Sequence, residues 1–503
     1  APEAVLTVNR VANGGTALST LTLNGAGTFN GIISLYSNTT GGTQNNILNL
    51  NHALAAQNAT IKLGGYLVLL FATRLYLFLL LIMKPILPLL LRRSLLASLL
   101  VPIISLSFSA SAADFMVDAS QYSDPDNNIY STLEELVSSV ALVAGDTVIL
   151  NNDDASLTTG LTVPVNFRSA DPAALCAVDL SGLGKNPLYD LGAGEYTLEM
   201  DSVIWSKGAA GVIRTADDNV SLEITGEVQF LNNHVDNSNN SAYGGAIYME
   251  GDHATLTLGN NVTFSGNYAS SDSSSISTSS GGAIYMQGVN SFLTIRNGAI
   301  FTNNYSSTYG GAIYLQGITT DNSSRFLAFT HDVLFSGNMT GGTFTQHNDG
   351  SFSVVNGVAN AIHVDGTNHL QLAAAQGKEV RFNDPITSAA YFSSTENVTL
   401  SLNQYTDDDG ISHTTDGTVI FSGELYQGDN AHLVASRYSD FKGQTTLYGG
   451  SLILEHNVVF GNAGLRDDTS MTLEHGTLEI TGIGDGEAQV RLSSEQYGGS
   501  TRK

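Results

Sequence analysis

Asp407-Asp408-Asp409, with Asp416 nearby, is the densest acidic cluster in this 503-residue chain. Converging carboxylates are what a calcium site or a general acid/base pair requires. The cluster lies between Gln404 and Gly410, and Asp153-Asp154, Asp217-Asp218 and Asp467-Asp468 occupy similar turns. Adjacent acids in such places are more often a solvated loop, and that reading is favoured. The eleven histidines are scattered without a His-x-x-x-His pair, and no Gly-x-Ser-x-Gly or phosphate-cradling loop occurs. Gly482–Gly486 is a single glycine turn, not a calcium-binding nonapeptide array. Cys176 is the only cysteine, so neither an internal disulfide nor a cysteine-based zinc site can form. The expectation is a chain that is not an enzyme and has no catalytic residue, metal or cofactor. A polysaccharide lyase or hydrolase remains the alternative.

A different chemistry, aromatic recognition, is suggested by Tyr248, Tyr285 and Tyr314. Each ends a copy of Gly-Gly-Ala-Ile-Tyr: Gly244-Gly245-Ala246-Ile247, Gly281-Gly282-Ala283-Ile284 and Gly310-Gly311-Ala312-Ile313 precede them. If Ile247 and Met249 face a core, Tyr248 faces the other way, because successive side chains in a strand alternate. The three tyrosines then form an exposed column. It is either an adhesive stripe, since Tyr anchors interfaces at low entropic cost, or an aromatic ladder that only stabilises the sheet.

The elements that position these residues are repeats. Phe-x-x-Asn recurs at Phe230–Asn233, Phe264–Asn267, Phe301–Asn304 and Phe335–Asn338. Between the motifs, apolar residues alternate: Leu222 and Ile224, Leu256 and Leu258, Leu293 and Ile295, Leu327 and Phe329. Alternation with period two between Gly and Asn turns marks strands with one buried face. Such short strands bury that face only by stacking, each pairing in parallel with its counterpart one rung later. The fold class is therefore all-β, a right-handed parallel β-helix, with Leu256 between Leu222 and Leu293 and Phe264 between Phe230 and Phe301. Asn233, Asn267, Asn304 and Asn338 are expected to form a buried amide ladder. A β-propeller fits less well, because the spacing varies in the Ser/Asn-rich link rather than in the strand-bearing stretch. At roughly 20–25 residues per rung the coil has about 15 rungs and a length of about 70 Å.

The N-terminal end of the coil reads from Ser131, an N-cap with Glu134 three residues on, and from Leu133, Leu136, Val137 and Val140 at helical spacing. This short capping helix covers an edge that would otherwise invite pairing. Residues 113–150 are assigned to this cap and 151–480 to the β-helix, with the repeats at 221–366 and a truncated end at 481–503.

Residues 1–112 hold six of the 20 basic residues and one of the 46 acids, so the remainder carries a formal net charge near −31. Nucleic acid is thereby excluded as a partner, since phosphate binding needs the opposite sign. Residues 1–65 read as a strand-rich, solenoid-like fragment, and 66–112 as apolar, with hydrophobic helical segments around 66–109. From Met83, a basic start with Arg92-Arg93, an uncharged stretch Ser94–Phe108 and Ala110-Ser111-Ala112 make up a secretory signal peptide, with cleavage between Ala112 and Ala113. A signal at that place fits a fused or mis-started reading frame beginning naturally at Met83, two membrane segments, or an unusually long export leader.

The paired Gly-Gly-Ala-Ile and Phe-x-x-Asn motifs resemble those of the chlamydial polymorphic membrane proteins, as do Phe382-Asn383-Asp384-Pro385-Ile386 and Val419–Glu424. The resemblance covers 221–424 well and 425–480 as generic autotransporter passenger. It implies export, display at the cell surface or outer membrane, and adhesion to a receptor or glycan on a host or neighbouring cell. A structural surface spacer is the third reading. The chain departs from the family in having three clean Gly-Gly-Ala-Ile copies. It also has no C-terminal membrane barrel after position 480, which fits a fragment separated from its translocator.

Overall fold

The computed structural model describes six strands within residues 4–70 by their backbone. It also describes residues 112–480 except 152–154, 237–240, 272–277, 317–322, 367, 389–397, 424, 426–437, 440–443, 457 and 461–469. The chain divides into two compact units, Ala1–Ser111 and Ala112–Lys503.

In the first unit, Ala4–Arg10, Gly31–Ser37 and Thr60–Gly64 form one parallel sheet, and Ser19–Leu23, Asn46–Leu50 and Leu67–Leu70 a second. Residues 67–70 thus correct the expectation of helix around 66–109 where it can be compared: they are a strand paired with Asn46–Asn49. The rest of that apolar stretch and the signal segment up to Ser111 lie outside the described residues.

The second unit is a coil of parallel strands. One turn runs Thr255–Leu258, Thr263–Ser265, Tyr268–Ser270 and Ile284–Met286, then re-enters at Phe292–Ile295. Each segment pairs with its counterpart one turn later, giving sheets of 13, 11, 7 and 5 strands among the described residues. The 13-stranded sheet spans about 58 Å at ~4.8 Å per strand, shorter than the 15 rungs expected from the sequence. The loops and two inserted hairpins lengthen the average turn.

Register follows the repeat. Leu222, Leu256 and Leu293 stack in one column. Phe230, Phe264, Phe301, Phe335, Phe382 and Phe421 stack in another, with ring centroids 4.7–5.2 Å apart and planes within 12°. All six rings are buried. In the copy at 324–328 the register differs from expectation: Ile295 pairs with Phe326, so Phe326, not Leu327 or Phe329, enters the core column. Ser324 takes the place above Leu293, its buried hydroxyl accepting the Leu293 N–H at 3.2 Å. The register thus lies three residues earlier than the alternation implies, and the sheet continues unbroken.

The entry to the coil is closed as a helix-capped edge. Ile129–Tyr130, only two residues long, pairs outside Asp114–Val117 and leads into a helix at Leu133–Ser139. Leu133 and Leu136 are buried in the core. The N-cap is Thr132, one residue beyond the expected Ser131: its hydroxyl accepts the Glu135 N–H at 3.1 Å. Glu135 in turn accepts from the Ser131 N–H and hydroxyl, at 3.3 and 2.9 Å. Glu134 instead leaves the helix to hold Thr158, through N–H and hydroxyl bonds both of 2.7 Å.

Because the phenyl column is continuous and dry, a hole in its middle cannot be filled by solvent. Phe301→Ala is expected to lower stability by about 3–5 kcal/mol, read as a drop in the urea midpoint of the coil. A change under 1 kcal/mol would show that the column is not a structural spine.

Candidate interaction surface

The four repeat turns share one buried polar corner. The Asn267 side chain donates to the Phe230 carbonyl at 2.9 Å and to Asn304 Oδ1 at 3.0 Å, and Asn304 Oδ1 also accepts the Asn267 backbone N–H at 3.0 Å. Asn233, Asn304 and Asn338 repeat the pattern on Trp205, Phe264 and Phe301 carbonyls. All four are fully buried. The ladder starts at Gly208, whose N–H is taken by Asn233 Oδ1, and ends at Asp384. Asp384 accepts Gly337 N–H at 2.9 Å, Asn338 N–H at 2.8 Å and the Asn338 amide at 2.7 Å.

The Gly-Gly pair that follows has two separate tasks. Gly281 has φ +68°, and a Cβ there would collide with the Ile284 carbonyl of its own turn. Gly282 needs no positive φ; a Cβ on it would strike the carbonyls of Tyr305 and of Gly311 in the next turn. Ala246, Ala283 and Ala312 and the Ile residues after them, 247, 284 and 313, are buried in the core.

Tyr248, Tyr285 and Tyr314 do form a column, with centroids 5.4 and 5.0 Å apart and planes within 9°. The expectation that they are exposed fails: they are only 8%, 4% and 6% accessible. Tyr243, just before the first Gly-Gly, packs against the column, 4.5 Å from Tyr285. Arg214 lies 4.6 Å above the Tyr248 ring, and His363 continues the column beyond Tyr314 at 5.7 Å. The hydroxyls bond to Glu250, Gln287 and Asp365 respectively. Burial first, and the neighbouring carboxylates next, push the Tyr248 and Tyr314 hydroxyls well above the ordinary tyrosine range. They stay protonated, as donors to those groups. This arrangement is the aromatic ladder, with no face free to touch a partner.

Among the described residues two antiparallel hairpins are inserted between strands of the coil. Thr343–Gln346 pairs with Phe352–Val355 around the turn at His347–Gly350. Phe344 and Phe352 lie against Tyr268, at 5.0 and 5.3 Å, and against Tyr305, at 4.9 and 5.7 Å. They cover the outward column of the five-stranded corner sheet and leave clefts on either side. One is about 340 Å³, lined by Ser181, Lys207, His234 and His347; the other is about 400 Å³, lined by Asn303, Met339 and Phe352. Gln404–Thr406 pairs with Ser412–Thr414 around the acidic triplet. Val355 and Ile411, on these hairpins, are 60% and 57% exposed.

The acids are thereby accounted for as a turn. Asp407 accepts the N–H groups of Asp409 and Ile411 at 3.0 and 2.8 Å and contacts His413 Nε2 at 2.7 Å. The His413 contact first, then the amide donors, hold its carboxyl below the usual range. Asp408 reaches Arg325 at 2.7 Å, and Arg325 also donates to the Thr406 carbonyl at 2.9 Å, clamping the hairpin to the 13-stranded sheet. Among the described residues no group of three or more His, Cys, Asp or Glu is placed to hold a metal ion. Both hairpins carry an Asp-Gly dipeptide, Asp349-Gly350 and Asp409-Gly410, the short-range hairpin signal that could have identified them in the sequence.

Comparison with known proteins bears on the same turns. The Chlamydia polymorphic membrane protein repeat matches residues 261–287 and 298–316, which contain the second and third Phe-x-x-Asn motifs and two Gly-Gly-Ala-Ile-Tyr copies. The chain is 29% identical over 208 residues to probable outer membrane protein pmp10 of Chlamydia pneumoniae, covering 34% of this chain and 21% of that protein. It is 29% identical over 235 residues to probable outer membrane protein pmp8 of the same organism, covering 46% of this chain and 23% of that protein. The chain thus spans less than a quarter of the length of these relatives. No solved structure matches it.

Two outcomes are expected from these columns. Asp384→Asn makes the ladder more uniform in sequence, yet it should cost about 1.5–3 kcal/mol. One carboxylate oxygen becomes an NH₂ facing the Gly337 or Asn338 donors, and a charge-assisted acceptor is lost. Unchanged thermal stability in that variant would contradict this reading of the ladder's end. His363, stacked 4.4 Å from Tyr309, is held neutral by burial, its pKa lowered to about 3. The unfolded chain therefore binds the extra proton first. Stability is full above about pH 6.5 and falls on acidification towards pH 3, by up to about 3 kcal/mol at pH 4. His363→Gln should flatten that part of the pH–stability curve relative to the unmodified chain.

Proposed function

We propose, from the premise that these turns are polymorphic membrane protein repeats, that the chain is an autotransporter-like β-helical passenger displayed at the cell surface or outer membrane. Its relatives' names as outer membrane proteins support that location. The same reading has it exported behind a cleaved signal peptide and brought out through a translocator barrel in the outer membrane.

Within that reading the passenger acts as an adhesin, and its contacts are made by the inserted hairpins rather than by the tyrosine column. The single observation that carries this is how polarity and exposure are divided. The repeated residues spend their polar groups on one another, while the insertions 343–355 and 404–414 expose apolar side chains: Val355 at the base of the first hairpin and Ile411 in the turn of the second. Both hairpins are held against the coil, by the Phe344 and Phe352 rings in one case and by Arg325 in the other. A contact residue held on a rigid base loses little entropy on binding. The partner is a receptor or glycan on a host or neighbouring cell. The coil itself serves as the spacer that holds these residues away from the membrane, and no catalytic role is assigned to the acidic triplet.

Binding of the purified chain to cultured epithelial cells, measured beside release of reducing sugar from polysaccharides, tests the proposal. Val355→Asp together with Ile411→Asp is expected to reduce cell binding at least tenfold with an unchanged unfolding midpoint. Tyr285→Ser should lower the midpoint first and binding only as a consequence. Sugar release that disappears in Asp407→Asn, without cell binding, would replace the adhesin by a carbohydrate-active enzyme.

A further inference from the structure

We propose that Asp146 is the built-in seat of the mature chain's N-terminal ammonium group, on Ala113. The inference rests on the export reading above, and on three observations that do not depend on one another. The chain divides into its two units between Ser111 and Ala112. Ala110, Ser111 and Ala112 are the small residues that a signal peptidase accepts before its cut, with Ala112 exposed and Ala113 half-buried. The third observation is the geometry around the nitrogen that such a cut sets free.

That nitrogen lies 2.8 Å from Asp146 Oδ1. The other carboxylate oxygen accepts the Val143 N–H at 2.8 Å, and the Asp146 N–H is turned back onto the Val143 carbonyl at 3.1 Å. The Asp146 carbonyl accepts Asn166 N–H at 2.7 Å, so the residue is fixed from both sides. The Ala113 carbonyl is itself fixed by Thr147 N–H at 2.9 Å. Asp146 is only 2% accessible, and no Lys, Arg or His pairs with it among the described residues. A buried carboxylate facing two neutral amides lacks the counter-charge that burial ordinarily demands.

Hydrolysis supplies that charge. Water adds across the Ala112–Ala113 peptide bond, the hydroxyl going to the Ala112 carbonyl carbon and a proton to the Ala113 nitrogen as the C–N bond breaks. At neutral pH the freed amine takes a further proton from solvent and becomes an ammonium. The single N–H donor at 2.8 Å from Asp146 is then replaced by a cation with three donors, and a charge-assisted bond is roughly twice as strong as a neutral one. Because Ala113 leads directly into Asp114–Val117, processing strengthens the strand next to the coil's entry edge.

The test compares full-length chain secreted from a bacterial host with the same chain in which Ala112→Leu blocks cleavage, each with and without Asp146→Asn. Asp146→Asn is expected to reduce the folding equilibrium constant at least tenfold more in the processed form than in the unprocessed one. A second readout needs no variant: acylation of the Ala113 α-amine by an amine-reactive ester at pH 7 should run at least tenfold slower in the folded processed chain than in urea. An exported protein that keeps the Ala112–Ala113 bond overturns the export reading itself. A chain cut at that bond whose α-amine reacts equally fast folded and unfolded, or whose two forms lose stability equally, overturns the role of Asp146 alone.

Discussion

A parallel coil places like residues above one another, and the corner asparagine shows why that constraint governs the rest. The corner after each phenylalanine buries an asparagine side chain and its backbone N–H, and a buried unpaired polar group costs ~1–3 kcal/mol. Asn267 donates to the Phe230 carbonyl, one turn below, while its side-chain oxygen accepts the backbone and side-chain N–H of Asn233. Each asparagine therefore needs another asparagine, or an equivalent acceptor, above it. The repeat is not a pattern laid over an independent fold. It is the condition under which a polar corner can be dry.

Once the corner is fixed, the glycines follow. The strand that leaves the asparagine at Tyr305 lies so close to Gly282 that a methyl group would overlap a carbonyl. The chain must turn back into the seven-stranded sheet at that distance, which puts Ile284 inside and Tyr285 outside. Side-chain identity, backbone approach and register are thus one constraint seen at three places. Substitutions in any of the columns are felt in the neighbouring turns first, as is general for stacked repeats.

This explains what could be read from the sequence. The Leu222–Leu256–Leu293 and phenylalanine columns and the asparagine ladder were legible because identity at fixed spacing reports contact between turns directly. The burial of Tyr248, Tyr285 and Tyr314 was not. Alternation separates the two faces of a strand, but it is silent on what packs against the outer face, here Tyr243 and Arg214. The helix start slipped by one residue because Ser131 and Thr132 are both competent caps and Glu134 and Glu135 both competent partners; the choice is made by Thr158, which draws Glu134 away. At Phe326 the period of two is right but its phase is not: an odd offset of three residues puts Phe326 and Ala328 in the core in place of Leu327 and Phe329.

The turn at 333–366 and the one after it join these observations, because three of the columns change there while the phenylalanine column runs on. The next ladder position is Asp384 instead of asparagine, the tyrosine column passes to His363, and the position of Gly311 is taken by Asn360. The last of these follows from the turn after it. There the chain passes from Glu379–Phe382 to Ile386–Ser388 through Asn383-Asp384-Pro385 alone, with no strand added to the corner sheet. The backbone that excludes a side chain at Gly282, and at Gly311 through Met339, therefore has no counterpart over Asn360. Asn360 fits, bonding to Gly310 N–H at 2.8 Å and Thr387 Oγ1 at 2.6 Å. The hairpin 343–355 already interrupts the corner sheet there, so that Met339-Thr340 meets Val358-Ala359 antiparallel rather than in the repeated parallel fashion. The decay of Gly-Gly-Ala-Ile-Tyr into Ala-Asn-Ala-Ile-His goes with the end of that sheet.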